Sequence, residues 1–290
     1  MVPTSKSRLW LLYAILTTLF FGVWGALIEI PEKNGFPASL GYVVWALTMI
    51  PCSLIALYLT GWKLAGGRKQ VLLGLAVGLT GAGGQLLLFQ ALRLGPAYLV
   101  FPLISLYPVL TVGLAYALLR ERARAKTWWG VLLAFPSIAL LSYQPPAQEA
   151  VRSPWWIVLA VAVFVLWGVQ AYIMKISTGL MEAESVFFYM MVGAMPLIPV
   201  AVGMTDFSRA VNWGWNGPYL AAAIQVLNAM GALMLVYALR GGKALVVVPM
   251  TALAPVLTVV LSLLLYRLVP HPPVMVGMAL ASVAIVLIAE

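Results

Sequence analysis

Two stretches of this chain repeat one another. Residues 84–112 read GQLLLFQALRLGPAYLVFPLISLYPVLTV, and residues 231–259 read GALMLVYALRGGKALVVVPMTALAPVLTV. At a shift of 147 positions, 16 of the 29 pairs are identical, including Ala-Leu-Arg, two prolines six residues apart, and Pro-Val-Leu-Thr-Val. The repeat extends further. Phe21, Trp24 and Gly25 match Phe164, Trp167 and Gly168 at a shift of 143, and Gly130 matches Gly277 at 147. A chain written twice must fold into two related halves and bury their shared surfaces against each other.

The solvent of those halves follows from composition. Of the 290 residues, 63% are hydrophobic and 9% charged, where a soluble domain carries about 25% charged residues. That leaves too little polar surface for a soluble globule, so lipid is the expected solvent. The net charge of +9 does not indicate nucleic acid, because the basic residues lie in short loops between apolar runs and form no stripe with interleaved aromatics. The single cysteine, Cys52, excludes an internal disulfide and reads as a small apolar helix residue.

Apolar runs of membrane-spanning length predict an all-α integral membrane protein with ten spans. They fall near 9–31, 38–61, 70–93, 96–119, 127–144, 154–177, 183–204, 217–240, 243–266 and 272–289. Lys6 and Arg8 precede the first run, which is too long for a leader and lacks a clear small-residue cleavage site, so it reads as the first span. The polar break PPAQEAVRS divides the chain into a first repeat, 1–144, a linker, 145–153, and a second repeat, 154–290. With five spans per half, the second half must enter the membrane inverted. Placing the N-terminus inside leaves 12 basic residues in inner segments and 5 in outer ones, of the 17 present. The positive-inside rule therefore puts both termini in the cytoplasm. The matched residues Arg93 and Arg240 fall on opposite faces, as inversion requires.

This pattern resembles the drug/metabolite transporter superfamily, in particular its EamA-type members. The resemblance rests on Trp24-Gly25 and Trp167-Gly168, the Ala-Leu-Arg turns and the paired prolines. It implies a ten-helix bundle around a central cavity lined mainly by the first, third, fourth, sixth, eighth and ninth helices. Members carry amino acids, nucleotide sugars, sugar phosphates, nucleobases or drugs. In many members the loop after the fourth helix of each half carries a Glu. Glu121 fits this in the first half, whereas Leu268 stands at the matched position in the second.

No enzymatic constellation is visible. His271, the one histidine, lies between two prolines at an expected outer turn, and no Ser/His/Asp set, metal cluster or phosphate-cradling glycine loop accompanies it. No cofactor or metal is expected. The intramembrane polar residues are more informative, since each is costly in hydrocarbon unless it faces the bundle or water. Gln85, Gln170, and the pair Gln225 and Asn228, three apart on one helix face, are candidates for holding a polar neutral or zwitterionic ligand. The other reading is interhelical hydrogen bonding alone. Trp24, Trp167 and Tyr107 are candidate aromatic walls.

Glu29 reads two ways: as a carboxylate that binds a substrate amine or carries a proton, or as an interfacial group reaching water. No acid lies deep in a span, which argues against a central proton relay. Lys175 either attracts an anion or marks topology. The absence of further deep cations disfavours sugar phosphates. Pro102, Pro108, Pro249 and Pro255 are candidate hinges, each removing a backbone donor at a matched position. The expectation is a transporter in the inner (plasma) membrane, an exporter or exchanger, moving a small polar metabolite such as an amino acid by alternating access. Its partners would be that small molecule and the lipid bilayer, with the chain a monomer or homodimer. A non-transporting membrane subunit and a lipid-modifying membrane enzyme are the alternatives.

Overall fold

The computed structural model describes residues 9–95, 97–141, 143, 153–266 and 271–289. Among these there are fourteen α-helices and no strand. The first half holds α1 (Leu9–Leu27), α2 (Glu29–Lys33), α3 (Ala38–Leu59), α4 (Arg68–Leu94), α5 (Ala97–Ser105), α6 (Tyr107–Ala117) and α7 (Ala125–Leu141). The second holds α8 (Trp155–Thr178), α9 (Ala183–Ala194), α10 (Ile198–Gly203), α11 (Leu220–Gly241), α12 (Ala244–Thr251), α13 (Ala254–Tyr266) and α14 (Pro272–Ala289).

Among the described residues, six stretches are long and apolar enough to cross a membrane: Leu9–Lys33, Ala38–Leu59, Arg68–Leu94, Trp155–Thr178, Ala183–Gly203 and Trp215–Gly241. A helix suits this solvent because it satisfies its own backbone donors and acceptors where no water can. Exposed Leu9, Leu12, Ile15 and Leu19 give α1 an apolar outer face, which lipid covers at no cost.

The stretches expected at 96–119 and 243–266 are each broken into two helices. The first breaks at Leu106 (φ −81°, ψ 1°) and the second after Ala252 (φ −69°, ψ −7°). Leu106 lies two residues before Pro108, and Leu253 two before Pro255. A proline lacks the donor that would continue the ladder to the residue four before it, and its ring crowds that residue's carbonyl. Leu106 and Leu253 are themselves matched at a shift of 147, so the interruption is duplicated along with the sequence. A third break, a 3₁₀ turn at Met195–Leu197 between α9 and α10, holds Pro196.

The halves pack by exchange. α1 lies against α11 and α13, and α4 against α8 and α9, while α3 also meets α11, α6 meets α8, and α7 pairs with α14. α1 and α11 run antiparallel, since Trp10 meets Gly241 while Phe21 meets Gly231. α4 and α8 also run antiparallel, with Gly81 against Gln170 and Gly95 against Trp156. Between α4 and α9 the backbones touch. A Cβ on Gly78 would stand 2.2 Å from the Met190 carbonyl oxygen and 2.8 Å from Gly193 Cα. Small residues permit such approach in a bilayer, where association depends on packing. The main core fills the space between, with Val77, Phe187, Leu239 and Leu245 among its fully buried side chains.

Gly78→Ala has no room for its methyl and is expected to lower stability by about 1–3 kcal/mol, the usual range for overpacking. Gly113→Ala, on the exposed face of α6 with nothing within 4 Å of its Cβ, is expected to stay within about 0.5 kcal/mol. Thermal unfolding of the purified variants in detergent checks the contrast.

Candidate functional site between the two halves

The expected site residues gather mostly at two matched places on the seam between the halves. At the first, the indole N–H of Trp24 on α1 donates to Gln225 Oε1 on α11 at 3.0 Å. The amide N–H of Gln225 donates onward to the Gly41 carbonyl of α3 at 3.2 Å, and Asn228 Nδ2 approaches the same Gln225 oxygen at 3.5 Å. An amide oxygen has two lone pairs, so it can serve both donors. Gln225 is only 4% exposed; its amide ties α11 to α1 and α3. Asn228 is half-buried beside it.

At the second place, the indole N–H of Trp167 on α8 donates to the Gly81 carbonyl of α4 at 3.2 Å. Its ring fills the space over Gly84, where a Cβ would stand 2.4 Å from Nε1. Tyr107, the first residue of α6, meets that ring edge-on at 5.9 Å between centroids. The Gln170 amide, three residues on, lies over Gly81. Gln85 follows Gly81 by four residues, one turn along the same face of α4. Gln85 and Gln170 are half-buried, and neither amide makes a hydrogen bond among the described residues.

The two places are variants of one design. Trp24 and Trp167 are repeat mates, and each docks on the third long segment of the opposite half. The match at 147 pairs Gln225 with Gly78 and Asn228 with Gly81. Where α4 has glycines, the indole reaches the backbone. Where α11 has amides, a side chain stands between indole and helix. A second duplicated staple escaped the sequence reading, although its residues lie inside the repeat. Thr111 Oγ1 donates to the Gly168 carbonyl at 2.9 Å, and its mate Thr258 donates to the Gly22 carbonyl at 2.9 Å.

Glu29 lies apart from these groups. Its carboxylate is 68% exposed and pairs with Lys33 at 2.7 Å. The buried acid is Glu184, 5% exposed in the first turn of α9. The Tyr237 hydroxyl donates to its Oε1, while Oε2 has no partner among the described residues. Tyr13 stacks on Tyr237 at 5.0 Å. The sequence signal for Glu184 was weak, because an acid opening an apolar run reads as a helix-start residue.

Lys175 grips backbone: its Nζ donates to the Leu239 and Gly242 carbonyls. Pro108 is buried at the start of α6 and Pro249 inside α12, while Pro102 lies within α5 and Pro255 is the second residue of α13. His271 meets the Tyr143 ring edge-on. A shallow depression at Arg68, Lys69, Leu72 and Leu73 lies at the opening turn of α4, away from the amides.

Two reciprocally docked halves, each carrying the Trp-Gly pair and the interrupted helix, define a two-repeat membrane transporter fold. The EamA-like transporter family profile matches the chain twice, at residues 8–143 and 154–289. The chain belongs to that family. It is 30% identical over 132 residues to an uncharacterized protein of Methanocaldococcus jannaschii. That match covers 46% of this chain and 94% of the archaeal one, so the relative is about as long as one repeat. A solved crystal structure superposes with a TM-score of 0.78, covering 95% of this chain and 97% of the other at 17% identity, a likeness in fold.

Gln225→Leu strands the Trp24 N–H and removes the tie from α11 to the Gly41 carbonyl of α3, and is expected to cost about 1–2 kcal/mol of stability. Gln85→Leu breaks no bond seen among the described residues and is expected to cost less than about 0.5 kcal/mol. Unfolding in detergent, read by intrinsic tryptophan fluorescence, separates the two.

Proposed function

We propose that this protein is a secondary transporter, an exporter or exchanger, that moves a small polar metabolite such as an amino acid across the inner membrane. The observation that carries the reading is the pair of uncommitted amides, Gln85 and Gln170, beside Trp167 and Tyr107 on the seam between the halves. A half-buried amide without a partner in a protein core is unfavourable unless water or a ligand satisfies it. Two of them offer donors and acceptors together, which suits a neutral or zwitterionic molecule. The Trp24, Gln225 and Asn228 cluster forms the other wall. There Gln225 is committed to holding helices, and Asn228 is the better placed to meet a ligand.

The mechanism is alternating access, in which the halves rock about this seam and the interrupted helices absorb the bend. Ten spans in two inverted repeats fit the packing, with α5 and α6 counted as one crossing and α12 and α13 as another. Helix directions support inversion. α9 runs parallel to α4, since Gly74 meets Tyr189 and Gly78 meets Gly193. α11 runs against α9, since Tyr237 meets Glu184 at the start of α9, while Gln225 and Ala194, at the far ends, both reach α3 at Gly41 and Tyr42. The repeat mates α4 and α11 therefore run in opposite directions. Both termini are cytoplasmic on the charge count, and the chain works as a monomer or homodimer in the bilayer.

A thermal-shift screen of neutral and zwitterionic metabolites identifies a ligand, since one that binds only the folded state raises its stability. Flux of that ligand into liposomes holding the purified protein is the expected result; no flux, or its chemical conversion, overturns the reading. Gln85→Ala and Gln170→Ala are each expected to raise the half-saturating concentration about 5–10-fold, the equivalent of one lost hydrogen bond of about 1–1.5 kcal/mol. For orientation, a cysteine at Gly66 in a Cys52→Ser background should resist an impermeant thiol reagent applied outside intact cells. Labelling there reverses the assigned topology.

A further inference from the structure

The two matched turns of the repeat, α4 to α5 and α11 to α12, are built alike and fastened differently. Both end their long helix with the same backbone bond, Gly95 N–H to the Ala91 carbonyl at 2.8 Å and Gly242 N–H to the Ala238 carbonyl at 2.7 Å. Both cover the glycine with a tryptophan from the other half, Trp156 over Gly95 and Trp10 over Gly242. On this shared plan the α11–α12 turn carries a charged clamp. Lys175 Nζ, reaching from α8, donates to the Leu239 carbonyl at 2.7 Å and the Gly242 carbonyl at 2.6 Å. Glu121, from the loop after α6, accepts from the Ala244 N–H at 3.1 Å and the Leu245 N–H at 3.0 Å. The lysine neutralises the carbonyl end of one helix and the glutamate the amide end of the next, the favourable sign at each. Lys243, between them, donates to the Arg122 carbonyl.

The other turn cannot make this clamp. The match of Lys175 is Glu32 and the match of Glu121 is Leu268. A carboxylate cannot donate to carbonyls, and a leucine cannot accept from amides. Glu32 is exposed on α2, and Leu268 lies outside the described residues. What fastens the Leu94–Gly95 end instead is a backbone bond from the Ser153 N–H to the Leu94 carbonyl at 3.2 Å, with Arg93 donating to the Met204 carbonyl.

We propose that Glu121 and Lys175 form a latch that holds shut the end of the route at the α11–α12 turn, so that the two ends of this pseudo-symmetric protein open with unequal ease. The clamp joins α8, the α6–α7 loop and the α11–α12 turn, elements of both halves. That end opens only when the clamp breaks. Among the described residues the matched turn carries no such lysine and glutamate pair, and its Arg93 reaches the Met204 carbonyl instead. The inference rests on the transport reading for its meaning, and its test uses no substrate.

The test places a reporter cysteine at Gln85 in a Cys52→Ser background and reconstitutes the full chain in oriented vesicles. An impermeant thiol reagent is added to one face or the other. A cysteine at exposed Arg122, in a parallel sample, identifies the latch face. Lys175→Met and Glu121→Gln are each expected to raise reporter labelling from the latch face at least about tenfold and to lower it from the opposite face. Lys175→Arg, which keeps charge and donors, retains the parent pattern. Unchanged labelling at both faces overturns the latch. An equal rise at both faces also overturns it, since that is loosened packing. Two variants that attack different ends of the clamp keep the test readable if one fails to fold. Absence of flux in liposomes bears on transport alone, because the labelling asymmetry is measured without ligand.

Discussion

The two halves hold one another by their tryptophans. Each indole N–H is a lone donor on a large apolar ring, and each crosses the seam to the long third segment of the other half. In hydrocarbon, helices gain nothing from burying apolar surface against each other, because lipid is equally apolar. Association then depends on close fit and on polar groups that must find partners. Trp24 and Trp167 supply both, the ring filling a groove and the N–H locating an acceptor. The threonine staples of Thr111 and Thr258 add one more crossing hydrogen bond on each side. Because every one of these contacts joins opposite halves, neither half completes its own core.

The interrupted helices follow from the same solvent constraint. A break in a spanning helix frees backbone groups, which is tolerable only where protein or water meets them. The breaks at Leu106 and after Ala252 begin α6 and α13, the helices whose threonines staple the seam. They lie beside the partner half and away from the lipid-facing stripe of α1. The interruptions of the helices and the polar groups on the seam are therefore neighbours. The proposed alternating mechanism would use that proximity to couple a change at a break to the polar groups on the seam.

Much of this is legible in the sequence, and the reasons it stops are physical. The duplication is visible because 16 of 29 residues persist, and the helical class because lipid permits little else. Gln225 and Asn228 share a face because they are three apart. Which acceptor an indole finds is a different matter. Nothing in the spacing of Trp24 points to Gln225, since the contact spans the seam between halves, and nothing in Gly81 announces that its carbonyl is an acceptor. Glu184 is hidden for a related reason. It opens α9, where acids are common, and only packing against Tyr237 and Tyr13 shows that it is enclosed. Glu29, which falls inside the first expected span near its outer end, meets Lys33 on an exposed surface.

The two docking modes differ in how they respond to mutation. The acceptor for Trp167 is a main-chain oxygen, and its glycine cannot be exchanged, because a Cβ at position 81 would stand 2.2 Å from Gln170 Nε2. The acceptor for Trp24 is a side chain, replaceable by a single codon change. One wall of the seam is thus encoded in backbone geometry and resists drift, while the other is written in exchangeable chemistry. The duplicated scaffold therefore carries one template held by close packing and one open to substitution.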